Sequence, residues 1–448
     1  MKIKILTAFL LMLVLFTAGY AQDFDKAKLD KFLDTLAEKN KAMGSLAIAK
    51  DGKILYTRAV GYSQINGNEK TPATPATKYR IGSITKMFTA VMVFQLVEEG
   101  KLKLSDTLDK FYPQIPNASK ISIEQVLGHR SGIHSFTSDE DYQSWMTSPK
   151  TKEELVAVIA KGKPDFEPGA KASYSNANFI LLGYIVEKLD GKSYNEALKK
   201  RITSKIGLKD TYPGGKTDVK NNETFSYNFE GNWKQSVETD LSIPAGAGAL
   251  LSTPSDLTKF IQALFDLKLV SQESLNQMKT FKEGNIGLGM FQFPLGEKKV
   301  YGHTGGIDNF NSALFYMPEE KLTVAYTSNG KVYSPNNIVL GALDIYYNKP
   351  FTIPTFETVA VSAEVLDKYV GVYSSAEFPL KITVTRDGAT LSAQATGQSA
   401  FPLEATAQDK FKFEQAGIVL EFDAAKNQMK LTQRGRETVF TKENIPQK

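Results

Sequence analysis

A serine and a lysine stand three residues apart in Ser83-Ile84-Thr85-Lys86, at the start of a helical pattern. Residues i and i+3 share a helix face, so the hydroxyl and the amine can point into one pocket. A serine hydroxyl needs a base to become a nucleophile, and burial can lower a lysine pKa enough for the amine to accept the proton. Unpaired N–H groups at a helix start also favour the negative charge that develops during attack. This segment predicts a nucleophilic Ser83.

Two further motifs could complete a site of this kind. Tyr174-Ser175-Asn176 precedes a helical pattern and is predicted to lie on a loop, where functional groups are often held. Tyrosine can shuttle a proton, and asparagine can hydrogen-bond a substrate amide. His303-Thr304-Gly305-Gly306 comes just before a predicted strand, and its glycines allow a close approach of backbone to a ligand.

Each motif also has a plainer interpretation. Ser328-Asn329-Gly330-Lys331 repeats the serine–lysine spacing at a predicted strand end, and Tyr346-Tyr347-Asn348 resembles the tyrosine motif. Tyr174 could be a partly buried turn residue, and a histidine beside glycine is often only part of a turn. A short motif stays a hypothesis until its structural context is known.

The remaining patterns predict the elements that position these motifs. A helix is predicted over Phe24–Lys39, a hairpin over Ser45–Tyr56, and a helix buried on most sides over Ser83–Glu99, ended by Gly100. From Leu102 to about Thr280 the chain is mostly helical in pattern. Strands are predicted at Asn311–Met317 and Leu322–Thr327, and a helix at Ile338–Tyr347. Strands around a helical middle indicate one α+β unit whose sheet joins the two ends of this region.

The end of the chain has a different pattern. Residues Pro350–Thr358 have the composition of a linker, and short alternating runs follow it. Their regular spacing predicts a small all-β barrel or sandwich. The predicted strands are Lys381–Thr385, Thr390–Ala395, Lys410–Glu414, Ile418–Phe422 and Gln428–Gln433.

Composition excludes several classes of protein. With 448 residues, 42% of them hydrophobic and 11% aromatic, the chain can bury a large core, which excludes intrinsic disorder. The net charge of +5 is spread without basic blocks, so nucleic acid is not an expected partner. The absence of cysteine excludes disulfides and thiolate sites, and three histidines make a dedicated metal site unexpected.

The first segment reads as a signal peptide. A short basic start, Met1–Lys4, leads into the apolar run Ile5–Phe16, and Gly19-Tyr20-Ala21 offers small residues for cleavage. An apolar run of 12 residues is too short to span a bilayer, and an N-terminal anchor is the alternative. We therefore expect a protein exported to the periplasm or secreted, without a membrane span in its mature form.

The three motifs, taken in this order, resemble the serine β-lactamase and penicillin-binding-protein superfamily, in the branch of class C β-lactamases, D-alanyl-D-alanine carboxypeptidases, D-aminopeptidases and related esterases. The resemblance covers about Phe24–Pro350, and Leu366–Tyr373 is similar to the small lipocalin-like β domain often appended to such hydrolases. Further segments resemble family signatures: Leu127–Ile133, Glu167–Pro168–Gly169, Leu182–Gly183 with Glu187, and Ala245–Leu257.

This resemblance implies a fold and a domain order. The expected architecture is α+β, a β-lactamase/transpeptidase-like fold in which an antiparallel sheet is flanked by helices and joined by a helical subdomain. A small all-β barrel-like domain follows it. The predicted segments are a signal peptide at residues 1–21, a hydrolase domain at 22–352 and a β domain at 360–448.

The resemblance also assigns roles. It makes Ser83 the acylated nucleophile, Lys86 and Tyr174 the proton-transfer pair, and Asn176 a group that orients the substrate amide; which of the pair is the acylation base stays open. The oxyanion hole would be the backbone N–H groups of Ser83 and Gly306. His303, Thr304 and Gly305 stand where many β-lactamases have Lys-Thr-Gly and would bind substrate. No metal or organic cofactor is implied.

Three functions follow as hypotheses. The first is an acyl-enzyme hydrolase of D-amino-acid peptides of the cell-wall type, which would act on small peptides or peptidoglycan fragments. The second is an esterase or weak β-lactamase, and the third is a non-catalytic binding protein that keeps the fold. Because histidine titrates near neutral pH, we further expect any binding of a substrate carboxylate by His303 to depend on pH. The sequence leaves the oligomeric state open.

Overall fold

The structure is a computed structural model that describes residues 24–433 and 436–443. The predicted signal peptide, residues 1–21, lies outside the described residues. The described chain forms an eight-stranded sheet with helices on both faces, and a separate nine-stranded sheet near its end. This confirms the predicted α+β class with a barrel-like unit after it. None of the described helices has the length and apolarity needed to cross a membrane.

The eight-stranded sheet joins the two ends of the region that precedes the barrel-like unit. Its main path runs β5-β6-β7-β8-β1-β2, and every pair along it is antiparallel. The first strand pairs with the last, Ala42 opposite Lys331 and Lys50 opposite Leu322, as the sequence predicts. The strands are β1 Ala42–Lys50, β2 Lys53–Val60, β3 Tyr227–Phe229, β4 Trp233–Gln235, β5 Phe291–Leu295, β6 Lys298–Ile307, β7 Phe310–Met317 and β8 Leu322–Lys331.

Helices cover the sheet on both faces and form two cores. On one face, α1 and α12 pack over β1 and β8, with Phe32, Val324 and Ile338 buried between them. The other face is covered by α2 and α10, whose Phe88 and Phe260 rings stack at 3.7 Å between centroids. The helices are α1 Lys26–Glu38, α2 Thr85–Glu98, α3 Ile123–Leu127, α4 Tyr142–Trp145, α5 Lys152–Lys161, α6 Asn176–Asp190, α7 Tyr194–Leu198, α8 Ser204–Ile206, α9 Ala245–Gly248, α10 Pro254–Phe265, α11 Gln272–Met278, α12 Pro335–Tyr346 and α13 Ala363–Tyr369.

Helix α2 is buried over most of its length, which agrees with the predicted burial on most sides. Every residue from Thr85 to Leu96 is buried, including the polar Lys86 and Gln95. Because a helix enclosed on all sides cannot shift without disturbing the core, it gives the residues at its start a fixed position.

Strands β5 and β6 were not predicted. Gly302, Gly305 and Gly306 interrupt the alternation of apolar and polar residues in β6, so the period-2 signal is lost there. The segment His303-Thr304-Gly305-Gly306 comes just before the strand Phe310–Met317, as predicted, but it lies within β6 itself rather than in a loop or turn.

The nine-stranded sheet near the end of the chain curls into a barrel-like unit around its own core. All five predicted strands are present, and each of their ends lies within three residues of its predicted limit. The strands are β9 Gly371–Ser375, β10 Phe378–Asp387, β11 Thr390–Ala395, β12 Phe401–Pro402, β13 Glu404–Ala405, β14 Lys410–Phe413, β15 Ile418–Asp423, β16 Gln428–Gln433 and β17 Arg436–Lys442.

The barrel-like unit contacts the preceding region through the side chain of Lys41. Lys41 donates to both carboxylate oxygens of Glu404, at 2.9 and 3.0 Å, and its amine lies over the ring of Phe356 in the intervening segment. Phe356 also packs edge-on against Tyr333. The limits of 22–352 and 360–448 for two domains stay a prediction.

Candidate active site

Ser83 lies in a single 3-10 turn, Gly82–Ile84, that leads directly into α2. Gly82 has a φ of +49°, a conformation that glycine adopts without steric cost. A side chain at this position would come within 2.8 Å of the Gly306 nitrogen. The glycine at position 82 therefore allows the backbone at the start of α2 to lie directly against β6.

Two side chains converge on the Ser83 hydroxyl. The Tyr174 hydroxyl donates to Ser83 Oγ at 2.7 Å, and Lys86 Nζ lies 3.0 Å from the same oxygen. The spacing of three residues thus brings the serine and the lysine together as the sequence predicts, and the loop before α6 supplies the tyrosine.

Lys86 is fully buried, and burial lowers its pKa well below the ordinary value. Besides Ser83, its Nζ contacts Asn176 Oδ1 and the Ala247 carbonyl, both at 2.8 Å. These two oxygens can only accept, so each takes one N–H of the lysine. In the neutral form of the amine, which burial favours, the lone pair faces the Ser83 hydroxyl.

Tyr174 is held by a histidine that the sequence did not single out. Its ring stacks on His129 with 4.4 Å between centroids, and His129 Nδ1 accepts from the Ser175 backbone N–H. Although 37% of Tyr174 is exposed, desolvation raises the pKa of its hydroxyl, and the hydrogen bond with Ser83 acts in the opposite direction. The phenol therefore keeps its proton at neutral pH and acts as a donor.

Asn176 is the first residue of α6 and is fixed at both ends of its amide. Its Oδ1 accepts from Lys86, and its Nδ2 donates to Thr137 Oγ1 at 2.9 Å. Its backbone N–H donates to Ser135 Oγ at 3.1 Å. Ser135 and Thr137 were missed by the sequence reasoning because they lie in a loop without periodic pattern, just after the signature Leu127–Ile133.

The Ala247 carbonyl reaches Lys86 because α9 lies unusually close to α6. Gly183 of α6 faces Gly246 of α9, and a Cβ on Gly183 would sit 3.0 Å from the Gly246 Cα. Thr89 of α2 donates to the Gly246 carbonyl at 2.6 Å, which ties the same turn to the catalytic helix. A backbone acceptor carries no residue-type signal, so no motif could have identified it.

Strand β6 supplies the other wall of the site. A Cβ on Gly305 would overlap the Ile81 carbonyl oxygen and lie 3.0 Å from the Ser83 nitrogen, so only glycine fits. Strand β5 pairs with β6 only as far as Gly302. Within the described residues, no strand pairs with the outer edge of residues 303–307, where the side chain of Thr304 is exposed.

His303 lies beside the site but is only 3% exposed. Its ring packs edge-on against Phe291 at 4.8 Å between centroids, and Nδ1 contacts the Thr304 carbonyl. Burial lowers its pKa to about 3, and a charge on Lys86 would act in the same direction. The expectation that His303 titrates near neutral pH is therefore wrong, because desolvation keeps the imidazole neutral.

The second matches to the motifs lie elsewhere. Ser328 and Asn329 are fully buried in β8, where Asn329 Nδ2 donates to the Tyr62 carbonyl at 2.9 Å. Lys331 donates to Asn311 Oδ1 at 2.8 Å. Tyr346 ends helix α12, and Asn348 follows it. The structure therefore brings Ser83, Lys86, Tyr174, Asn176 and the segment His303–Gly306 together, whereas Ser328 lies two strands away, since Asn311 pairs with both Gly306 and Ser328.

Comparison with known proteins gives matches over most of the chain. The beta-lactamase family model matches residues 29–345. Penicillin-binding protein 4* of Bacillus subtilis is 25% identical over 440 residues, covering 89% of this chain and 95% of that protein.

Two solved structures show the same likeness. The octameric penicillin-binding protein homologue from Pyrococcus abyssi aligns with a TM-score of 0.65 and 28% identity, over 93% of this chain and 100% of that one. D-amino acid amidase from Ochrobactrum anthropi, complexed with L-phenylalanine amide, aligns with a TM-score of 0.64 and 26% identity. That alignment covers 72% of this chain and 98% of the amidase.

Proposed function

Because this chain belongs to the beta-lactamase family, we propose that it is an exported serine hydrolase that cleaves D-amino-acid peptides of the cell-wall type, in the manner of a D-alanyl-D-alanine carboxypeptidase. The observation that carries the proposal is the convergence of Lys86 and Tyr174 on Ser83 Oγ, at 3.0 and 2.7 Å. A nucleophile with two proton-transfer groups in reach is the arrangement that acyl transfer requires.

Acylation follows from the protonation states. Ser83 Oγ attacks the substrate carbonyl while its proton passes to the lone pair of the neutral Lys86, and the carbonyl π electrons move onto the oxygen. The backbone N–H groups of Ser83 and Gly306 are proposed to hold that oxyanion. The lowered pKa of Lys86 and the raised pKa of Tyr174 favour the lysine as the base of this step.

Breakdown of the intermediate needs an acid. When the bond to the leaving group breaks, the departing amine or alkoxide takes a proton from the Tyr174 hydroxyl, which Lys86 can then reprotonate. In the second half of the reaction, water attacks the acyl-enzyme while the same groups accept its proton and return one to Ser83 Oγ, which frees Ser83. The unpaired outer edge of residues 303–307 lies beside Ser83, where an extended peptide could add as a further strand.

The choice of D-amino-acid substrates rests on the relatives. Penicillin-binding protein 4* and the D-amino acid amidase are similar to this chain over long alignments, at 25% and 26% identity. This similarity supports D-amino-acid compounds as the proposed class of substrate.

One observation favours a second candidate. A carboxypeptidase substrate ends in a carboxylate, which a charged His303 would bind. Burial keeps the His303 ring neutral, so it does not supply that charge. The site therefore also suits a D-amino-acid amide or an ester, whose leaving side carries no charge. An amidase or esterase is accordingly the second candidate.

A substrate panel tests both candidates. Labelling with a fluorescent penicillin and a fluorophosphonate should modify Ser83, and failure of both reagents would exclude an acyl-enzyme. Turnover of a D-Ala-D-Ala peptide is then compared with turnover of the same peptide ending in a carboxamide and with a short ester. Preference for the free carboxylate supports the carboxypeptidase, and preference for the amide or ester supports the second candidate.

A further inference from the structure

His134 lies between two carboxylates, directly before the loop that carries Ser135 and Thr137. Its Nδ1 is 2.8 Å from Asp165 Oδ1, and its Nε2 is 2.8 Å from Asp139 Oδ1. Both acids are fixed by the backbone, since the Asp165 N–H donates to the Gly132 carbonyl and the Asp139 N–H to that of Phe136. The imidazole therefore bridges two anchored parts of the chain.

This geometry demands a charged ring. A carboxylate can only accept, so both ring nitrogens must carry a proton, which is true only of the imidazolium form. In the neutral form, one nitrogen would direct its lone pair at a carboxylate. The two carboxylates are the charged groups that bear on this ring, while Gly162 at the end of α5 packs against its Cβ.

The bridge encloses the residues that hold Asn176. The contact between His134 and Asp139 closes a short loop that contains Ser135 and Thr137. Their hydroxyls accept from the backbone and the side-chain amide of Asn176, and are 3.1 Å from each other. Asn176 Oδ1 in turn accepts from Lys86. An unbroken set of contacts thus runs from the two carboxylates to the amine beside Ser83.

We propose that His134, as a cation held between Asp139 and Asp165, is a positioning residue that keeps Ser135 and Thr137 against Asn176 and so fixes the orientation of Lys86. The inference rests on the proposed function, because it concerns the same nucleophile and base. It makes the efficiency of acylation depend on the charge of a residue that does not touch the substrate.

The sign of the pH dependence follows from the bridge. The hydrogen bonds with Asp139 and then Asp165 raise the pKa of His134 above its ordinary value of 6.5. The bridge is therefore complete below about pH 6.5 and is lost as the pH rises through the raised pKa. His129 and His303 have lowered pKa values. His134 is consequently the one histidine of the chain whose pKa is raised rather than lowered.

The test compares wild type with His134→Gln and Asp139→Asn, using Asp141→Asn as the matched control. Asp141 lies in the same loop, and its side chain forms no hydrogen bond or ion pair among the described residues. The ratio of wild-type to His134→Gln kcat/KM should be about tenfold at pH 6 and fall towards one at pH 9. The control should match wild type, and His134→Arg, which keeps a charge, should extend activity to higher pH.

Two measurements are independent of turnover. Histidine ring NMR should show a titration midpoint above 6.5 that Asp139→Asn lowers. The Asn176 amide, which donates to Ser135, should exchange faster in His134→Gln than in wild type at the same pH. A midpoint at or below 6.5, unchanged Asn176 exchange, or a kcat/KM ratio independent of pH would each overturn the proposal. If no variant turns over any substrate, the proposed function fails, while ring titration and exchange still decide the role of His134.

Discussion

The chain contains the Ser-x-x-Lys pattern twice, at 83–86 and at 328–331, and the structure gives the two copies different geometries. At the start of α2, residues three apart share a face, and Ser83 Oγ lies 3.0 Å from Lys86 Nζ. In strand β8, side chains alternate between faces, so residues three apart point in opposite directions. The backbone period, rather than the residue types, decides whether such a pattern can form a reactive pair.

Replacing the two serines should give the largest difference between the two copies of the pattern. We expect Ser83→Ala to lower kcat/KM by at least about 10⁴-fold, since it removes the nucleophile. Ser328→Ala should leave kcat/KM within about twofold and change stability by less than about 1 kcal/mol, because the buried Ser328 hydroxyl has no hydrogen-bond partner among the described residues. Steady-state kinetics and thermal unfolding measure both. If the two results were interchanged, the assignment of the site would be wrong.

The two lysines should differ most in activity, since burial lowers the pKa of both. Lys86→Met should lower acylation by about 10³-fold. Because the pKa of Lys86 is lowered on folding, the folded protein binds fewer protons than the unfolded chain, and this lysine costs stability below its unfolded value of 10.5.

Lys86→Met should accordingly raise the free energy of unfolding at pH 7 by about 1 to 2 kcal/mol. Lys331→Met, which removes a contact with Asn311, should change kcat/KM by less than about twofold. Denaturant unfolding of both variants at pH 7 provides the comparison. A less stable Lys86→Met protein would mean that the lysine is charged and paired.

A glycine near each copy gives a finer test. Gly305→Ala should displace the backbone of Ile81 and Ser83 and lower kcat/KM by about 10²-fold, the effect of a disturbed oxyanion hole. Gly330→Ala would place a methyl 2.8 Å from Met43 Cε and from the Trp233 ring. That overpacking should cost about 1 to 3 kcal/mol with kcat/KM nearly unchanged. Equal losses of activity would show that the two glycines are not functionally distinct.

Removal of the barrel should have the smallest effect on the site. A chain ending at Thr355 loses Glu404 and Phe356, both of which contact Lys41. The Lys41 carbonyl accepts from Val332 and Tyr333, directly after the second pattern, so the loss should loosen that region first. Labelling of Ser83 should stay within about twofold of the value for the full chain. The matched control is Lys41→Met in the full chain, which should lower stability by about 1 kcal/mol. Loss of labelling on truncation would make the barrel part of the catalytic unit.

The sequence predicted the parts of this site that depend on residue type and regular spacing. A serine with a lysine and a tyrosine indicates a nucleophile with proton-transfer groups. Helix periodicity then placed Ser83 and Lys86 on one face correctly. The contacts of the Ala247 carbonyl, Ser135 and His129 could not be predicted, because loop geometry and a helix crossing create them. The protonation of His303 was missed for a related reason, since its burial by Phe291 depends on the pairing of β5 with β6, and neither strand was predicted.

The contact between Gly183 and Gly246 limits how this protein can change over generations. A substitution at either position would usually be relieved by a smaller residue opposite, but the residue opposite is already glycine. No substitution at one position can therefore relieve the crowding caused by a larger residue at the other, although neither position belongs to the proposed catalytic groups. If both codons were randomised and the library selected for Ser83 labelling, the surviving clones should carry glycine at both positions.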